Sequence, residues 1–303
     1  MLDSFLVPGL VGKTVQELGN DSKSLCKTNI DIKLWESYPH KVEYRFNERG
    51  YRDKPWPDNL NDCIWCFGDS FTLGLGARFS HTWPYILREK TKSKLVNISM
   101  NGASNGWMFR KIKELLREVQ PAAIIVQWSY THRHELYFSQ SQAEHYNNKL
   151  WKKYYLQIKD ETWPDCSELK DFYKLPKSIQ KEVQTKHKSE RHSIWFVNDC
   201  VNAYAISDED RLQHYTTSSI EDDSKLTLDY IFKTIELCEK CQVPLIYGFI
   251  PNFALHEEIE KILPKLKGDS WGVTPMLDLA RDRFHFDIKT SNYIVNEVLK
   301  LIK

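Results

Sequence analysis

Ser70 closes the tripeptide Gly68-Asp69-Ser70, directly after the short apolar run Cys63-Ile64-Trp65-Cys66-Phe67, and a glycine-spaced stretch through Gly74 and Gly76 follows it. A serine hydroxyl is a weak nucleophile until a neighbouring base takes its proton. Near the far end of the chain, Asp282-Arg283-Phe284-His285 sets a histidine three residues after an aspartate. His285 is the candidate base, with Asp282 fixing the imidazole tautomer and stabilising its charged form. Together the three residues suit nucleophilic attack on an acyl carbon, chemistry that also needs donors aimed at the oxyanion. Gly102, in Asn97-Ile98-Ser99-Met100-Asn101-Gly102, brings a backbone N–H with no side chain in the way. The N–H of Ser70, at the start of a helical turn, is a second candidate donor. Taken alone, Gly68-Asp69-Ser70 also suits an ordinary turn with Asp69 as its cap, and that is the role expected of Asp69.

A serine just beyond a buried strand can stand at the mouth of a parallel sheet, where open α/β folds place their ligands. Five apolar segments read as buried strands, at Cys63–Phe67, Lys94–Ser99, Ala122–Trp128, Val243–Phe249 and Val273–Leu277. Stretches of helical period separate them, at Trp83–Lys90, at Gly106–Val119 behind an Asn105 cap, at Leu226–Cys241 and at Ser291–Ile302. Strands alternating with helices predict a three-layer α/β/α sandwich around a five-stranded parallel sheet of flavodoxin-like order. Two regions break the alternation. Residues 1–60 read as an N-terminal extension that packs on the core, and within the main domain, 61–303, residues from about 133 to 224 read as an inserted cap or subdomain.

Composition narrows the classes. With 303 residues and 41% hydrophobic content the chain can bury a full core. A formal net charge of +1 gives no reason to expect nucleic acid as a partner. No apolar run approaches the roughly 18–20 residues a bilayer requires, and Met1–Pro8 lacks a basic n-region, so no membrane partner and a cytoplasmic location are expected. Seven cysteines without a scaffold spacing point to a reducing compartment. Cys63/Cys66 and Cys238/Cys241 have the spacing of a zinc site but not its knuckles, and neither a metal nor an organic cofactor is expected.

Gly68-Asp69-Ser70, Gly102 five residues after Asn97, and Asp282-Arg283-Phe284-His285 together resemble the sequence blocks of the GDSL-type, or SGNH, hydrolases. The resemblance covers about 60–110 and 225–303, with fainter echoes at Gly50-Tyr51-Arg52 and Thr82-Trp83-Pro84. It implies an esterase with a Ser70–His285–Asp282 triad and an oxyanion hole of Ser70 and Gly102. The implied substrate is a small-molecule or glycan ester, with a short acyl group such as acetyl. The family's third block, G-x-N-D, is absent: the third strand runs into Gln127-Trp128-Ser129-Tyr130, and Ser129, Gln127 and Asn105 are the candidate replacements for its donor. Arg133, just beyond, is a candidate for binding an anionic substrate group. The same scaffold would also serve O-acyl transfer to a glycan, or a non-catalytic binding module.

Overall fold

The computed structural model describes residues 5, 7, 10–26, 28–133, 135–136, 201–202, 219–255, 257–262 and 265–302. The chain divides into two units, 1–134 with 219–303, and 135–218. In the second unit the described residues form one antiparallel ladder, Glu135–Leu136 against Val201–Asn202. Most of the sequence expected as an insertion, about 133–224, therefore lies outside the described residues.

The first unit is built on five parallel strands: β1 (Ile64–Gly68), β2 (Leu95–Ser99), β3 (Ala123–Trp128), β4 (Leu245–Phe249) and β5 (Asp269–Val273). Their order across the sheet is β2-β1-β3-β4-β5, the flavodoxin-like order, and all four pairings are parallel. Every residue of β1, β2 and β3 is buried, as expected for a parallel sheet covered on both faces. Helix α3 (Trp83–Thr91) packs with α6 (Ile288–Leu301), and α4 (Asn105–Glu118) with α5 (Ile220–Lys240). With the right-handed crossovers that parallel strands take, this strand order puts the two pairs on opposite faces of the sheet, which makes the three layers. Trp65, Phe67, Ile98, Ile124, Val126 and Trp128, each at most 0% exposed, form the centre of the core between them.

Three boundaries differ from expectation, each for a local reason. β5 runs from Asp269 to Val273 and not from Val273 to Leu277. It is an edge strand that buries only Trp271, so its polar residues conceal it, while Met276 and Leu277 are exposed beyond its end. α4 is capped by Ser104, whose Oγ accepts the N–H of Trp107, so Asn105 is its first residue. α5 begins at Ile220, where Ser219 caps it and Glu221, Asp222 and Asp223 line its first turn, favourable company for a helix N-terminus.

The N-terminal segment adds helix α1 (Asn29–Glu36) and a two-residue pairing of Thr14–Val15 with Tyr44–Arg45. Val42, Tyr44 and Phe46 from this segment share a small apolar cluster with Leu73 and Leu75. Leu73 ends the short helix that Ser70 begins and Leu75 lies just beyond it, so the segment packs directly against the residues that follow the candidate nucleophile.

Candidate active site

A single residue, Asp69, makes the turn from β1 into α2 (Ser70–Leu73), which Asp69 caps by accepting the Phe71 N–H at 2.9 Å. Gly68 permits the fold-back, because a Cβ there would lie 1.9 Å from Thr72 Oγ1. Ser70 thus stands at the carboxyl end of β1, next to the point where the strand order reverses, the position where open α/β sheets place ligands. From the other end of the chain comes a second tight turn. Asp282 Oδ1 accepts the N–H groups of Phe284 at 3.1 Å and His285 at 3.0 Å, with Arg283 in the left-handed region at φ 61°. Its other oxygen, Oδ2, lies 2.5 Å from His285 Nδ1.

The two turns meet where His285 Nε2 lies 2.7 Å from Ser70 Oγ. Ser70 and His285 are each 2% exposed. A carboxylate only accepts, so Asp282 selects the tautomer with the proton on Nδ1 and leaves the Nε2 lone pair facing the Ser70 hydroxyl. The geometry is that of a nucleophile, a base and a group that orients the base. Phe71 closes one side, its ring 4.5 Å from that of His285, and Phe284, 47% exposed, lies 5.0 Å from the imidazole.

The remaining candidates fall into two groups. Gly102, at φ 77°, lies in the turn after β2. β2 ends level with β1, Ser99 opposite Gly68, and the Met100 N–H donates to Gly68 O at 3.2 Å. Gly102 and Ser70 are therefore at the same end of adjacent strands. Ser129, Asn105 and Gln127 are bound elsewhere. Ser129 Oγ donates to Asp69 Oδ2 at 2.6 Å. The Asn105 amide donates to Ser129 O at 3.0 Å and to Thr227 Oγ1 at 3.3 Å, and its oxygen accepts the Ser129 N–H at 2.7 Å. Gln127 donates to Thr274 Oγ1 at 3.3 Å and accepts from Thr72 Oγ1 at 2.8 Å. Through these hydrogen bonds the side chains expected to replace the missing donor tie the end of β3 to Asp69, Thr72, Thr227 and Thr274.

Arg133 is also not placed as a binder of substrate anions. Its Nη1 donates to Asp69 Oδ2 at 2.5 Å and to Ser129 Oγ at 2.7 Å, and its side chain is 10% exposed. The charge it neutralises is Asp69, which is 0% exposed. Ser129 and Arg133 thus complete the cap of α2 from the far side of the strand ends.

Sequence reasoning missed a further support. Arg52, 1% exposed, donates from Nη1 to the carbonyls of Leu73 at 3.0 Å and Gly74 at 2.6 Å, and from Nη2 to those of Glu43 at 3.0 Å and Ala77 at 2.8 Å. Burial lowers its pKa to about 10, which leaves it charged at neutral pH. The motif Gly50-Tyr51-Arg52 was the available signal, but nothing in its periodicity marks an arginine that holds four carbonyls.

No family model and no curated protein matches the chain. Solved structures of similar fold do. "TesA" is 11% identical, with 80% of this chain and 98% of that one covered and a TM-score of 0.39. The psychrotrophic esterase EstA from Pseudoalteromonas sp. is 14% identical over 80% of this chain and 97% of that one, TM-score 0.37. A carbohydrate esterase family 2 enzyme from Corynascus thermopiles is 10% identical over 86% and 70%, TM-score 0.40. At such identities these likenesses assign no residue and no substrate.

Proposed function

We propose that this protein is a serine hydrolase that cleaves a carboxylic ester through an acyl-enzyme. One observation carries the reading: the unbroken line of contacts from Asp282 through His285 to Ser70, at 2.5 and 2.7 Å. Ser70 Oγ attacks the acyl carbon while His285 Nε2 takes its proton, and Asp282 holds the imidazolium that forms. The carbonyl oxygen becomes an oxyanion, received by the N–H groups of Ser70 and Gly102. Collapse breaks the ester bond. His285 returns the proton to the departing alcohol, leaving Ser70 acylated. Water then enters, gives a proton to His285 and attacks the acyl carbon; the second intermediate breaks the bond to Ser70 Oγ, His285 returns the proton to that oxygen, and the acid leaves. The half-exposed ring of Phe284 gives the substrate an apolar wall beside the imidazole.

Labelling with a fluorophosphonate followed by peptide mass spectrometry tests this. The expected result is modification at Ser70, together with a loss of about 10⁶-fold in turnover of an activated acetyl ester in Ser70→Ala. Folded protein that leaves Ser70 unmodified while a control esterase reacts would overturn the reading, as would full turnover in Ser70→Ala.

A further inference from the structure

The two turns that meet at Ser70 and His285 come from opposite ends of the chain, and something must hold them in register. Asp21, in the N-terminal segment and 0% exposed, touches the supports of both. Its Oδ2 accepts from the Tyr44 hydroxyl at 2.6 Å, and that same hydroxyl oxygen accepts the Gly76 N–H at 2.7 Å, in the loop after the nucleophile. Arg281, the residue before Asp282, donates from Nε to Asp21 Oδ1 at 2.8 Å and from Nη2 to Oδ2 at 2.6 Å. The Arg281 N–H closes the circuit by donating to Gly76 O at 3.1 Å. Asp21, Tyr44, Gly76 and Arg281 therefore form a ring of hydrogen bonds with the nucleophile loop on one arm and the Asp282–His285 turn on the other.

The chemistry of the ring fits a carboxylate. Trp35 Nε1 donates to Oδ1 at 2.9 Å, so each Asp21 oxygen accepts two donors. Four donors saturate an ionised carboxyl group, which offsets the cost of burying it. The bidentate fork fixes the direction of the Arg281 side chain as well as its distance, and the Trp35 ring lies 4.2 Å from the guanidinium. Burial and the adjacent Asp21 charge push the Tyr44 phenol up from its ordinary pKa, which keeps its proton for Asp21.

We propose that Asp21 is a positioning residue for catalysis: through Tyr44 and Arg281 it sets the separation of Ser70 from His285. The proposal rests on the hydrolase reading above, since only a reacting pair makes that separation matter. A misplacement of about 1 Å can cost about 100-fold in rate. In Asp21→Asn one acceptor becomes an N–H donor that faces an Arg281 N–H whichever way the amide turns, so the fork that directs Arg281 is broken. The expected result is a fall on the order of 10- to 100-fold in kcat and in the rate of fluorophosphonate labelling at Ser70, with KM unchanged. Tyr44→Phe, which opens the same ring, should do likewise. Ser219→Ala, which removes the cap of α5 in the same unit, loosens a helix that contributes nothing to the ring and should leave both rates alone.

Hydrogen exchange supplies a readout that needs no activity. In Asp21→Asn, residues 74–77 and 280–285 should lose protection together. Wild-type protein that does not label at Ser70 removes the hydrolase reading, and the coupling of the two loops is then decided by exchange alone. Wild-type labelling rates and wild-type exchange in folded Asp21→Asn overturn the role of Asp21.

Discussion

At the scale of residues, the decisive balance is the charge of Asp69, next to the candidate nucleophile. Asp69 is fully buried, and its Oδ2 receives both Ser129 Oγ and Arg133 Nη1. Removing one member of a buried pair typically costs about 3–5 kcal/mol because the other charge is left without compensation, whereas removing both costs far less. Arg133→Met is therefore expected to lower stability by about 3–5 kcal/mol, and Asp69→Asn combined with it to recover part of the loss. Urea denaturation of the two variants checks this. A stable Arg133→Met protein with a raised KM for an anionic ester would return Arg133 to the role of substrate binder. That Ser70, Asp282 and His285 meet was legible because their types and order suit a nucleophile, an orienting group and a base. The partners of Ser129, Asn105 and Arg133 were not, because hydrogen bonds between β3, α4 and the Asp69 turn are set by packing that no spacing along the chain records.

At the scale of elements, the site depends on how closely two loops approach. Gly76 has φ 75°, and a Cβ there would lie 2.9 Å from Asp282 Oδ1 and 3.0 Å from the Ala280 Cβ. Gly12 has φ 63° with nothing within 4 Å of a Cβ. An alanine at either position takes on left-handed strain of about 1–2 kcal/mol. Gly76→Ala should in addition push the Asp282 carboxylate away from His285, so its turnover should fall while that of Gly12→Ala holds. Thermal melts and ester kinetics on the pair separate strain from displacement; equal kinetics would mean the loops have room to spare. The contrast also explains what could be read in advance. The interior strands β1, β3 and β4, and β2, an edge strand buried along its whole length, announce themselves by apolar runs, since parallel strands covered on both faces are apolar on both. β5 hides behind Asp269, Ser270 and Gly272, and the contact of Gly76 with Asp282 joins residues too far apart in sequence for any local pattern to show.

At the scale of the whole molecule, Ser70, His285 and Asp282, the residues that cap their turns and the Asp21 ring all belong to one of the two units, 1–134 with 219–303. The five-stranded sheet is likewise contiguous within it, with β3 paired directly to β4 across the sequence gap. Chemistry confined to one unit should survive removal of most of the other, provided the chain is closed where it already meets. The ladder described in the second unit gives that place. Leu136 stands opposite Val201 and Glu135 opposite Asn202 in antiparallel register. Two-residue Asn-Gly loops close antiparallel pairs of this kind, because their type I′ turn matches the twist of the strands. Replacing residues 137–200 with Asn-Gly is thus expected to give a protein that melts cooperatively and labels with fluorophosphonate at Ser70 at the wild-type rate, since a small probe asks only for the nucleophile, the base and the backbone donors. Turnover of larger esters, compared between the two proteins, then reads whatever 137–200 contributes to substrate choice. A shortened protein that folds cooperatively yet leaves Ser70 unlabelled would place part of the catalytic machinery in the second unit and refute the confinement of the site to the first.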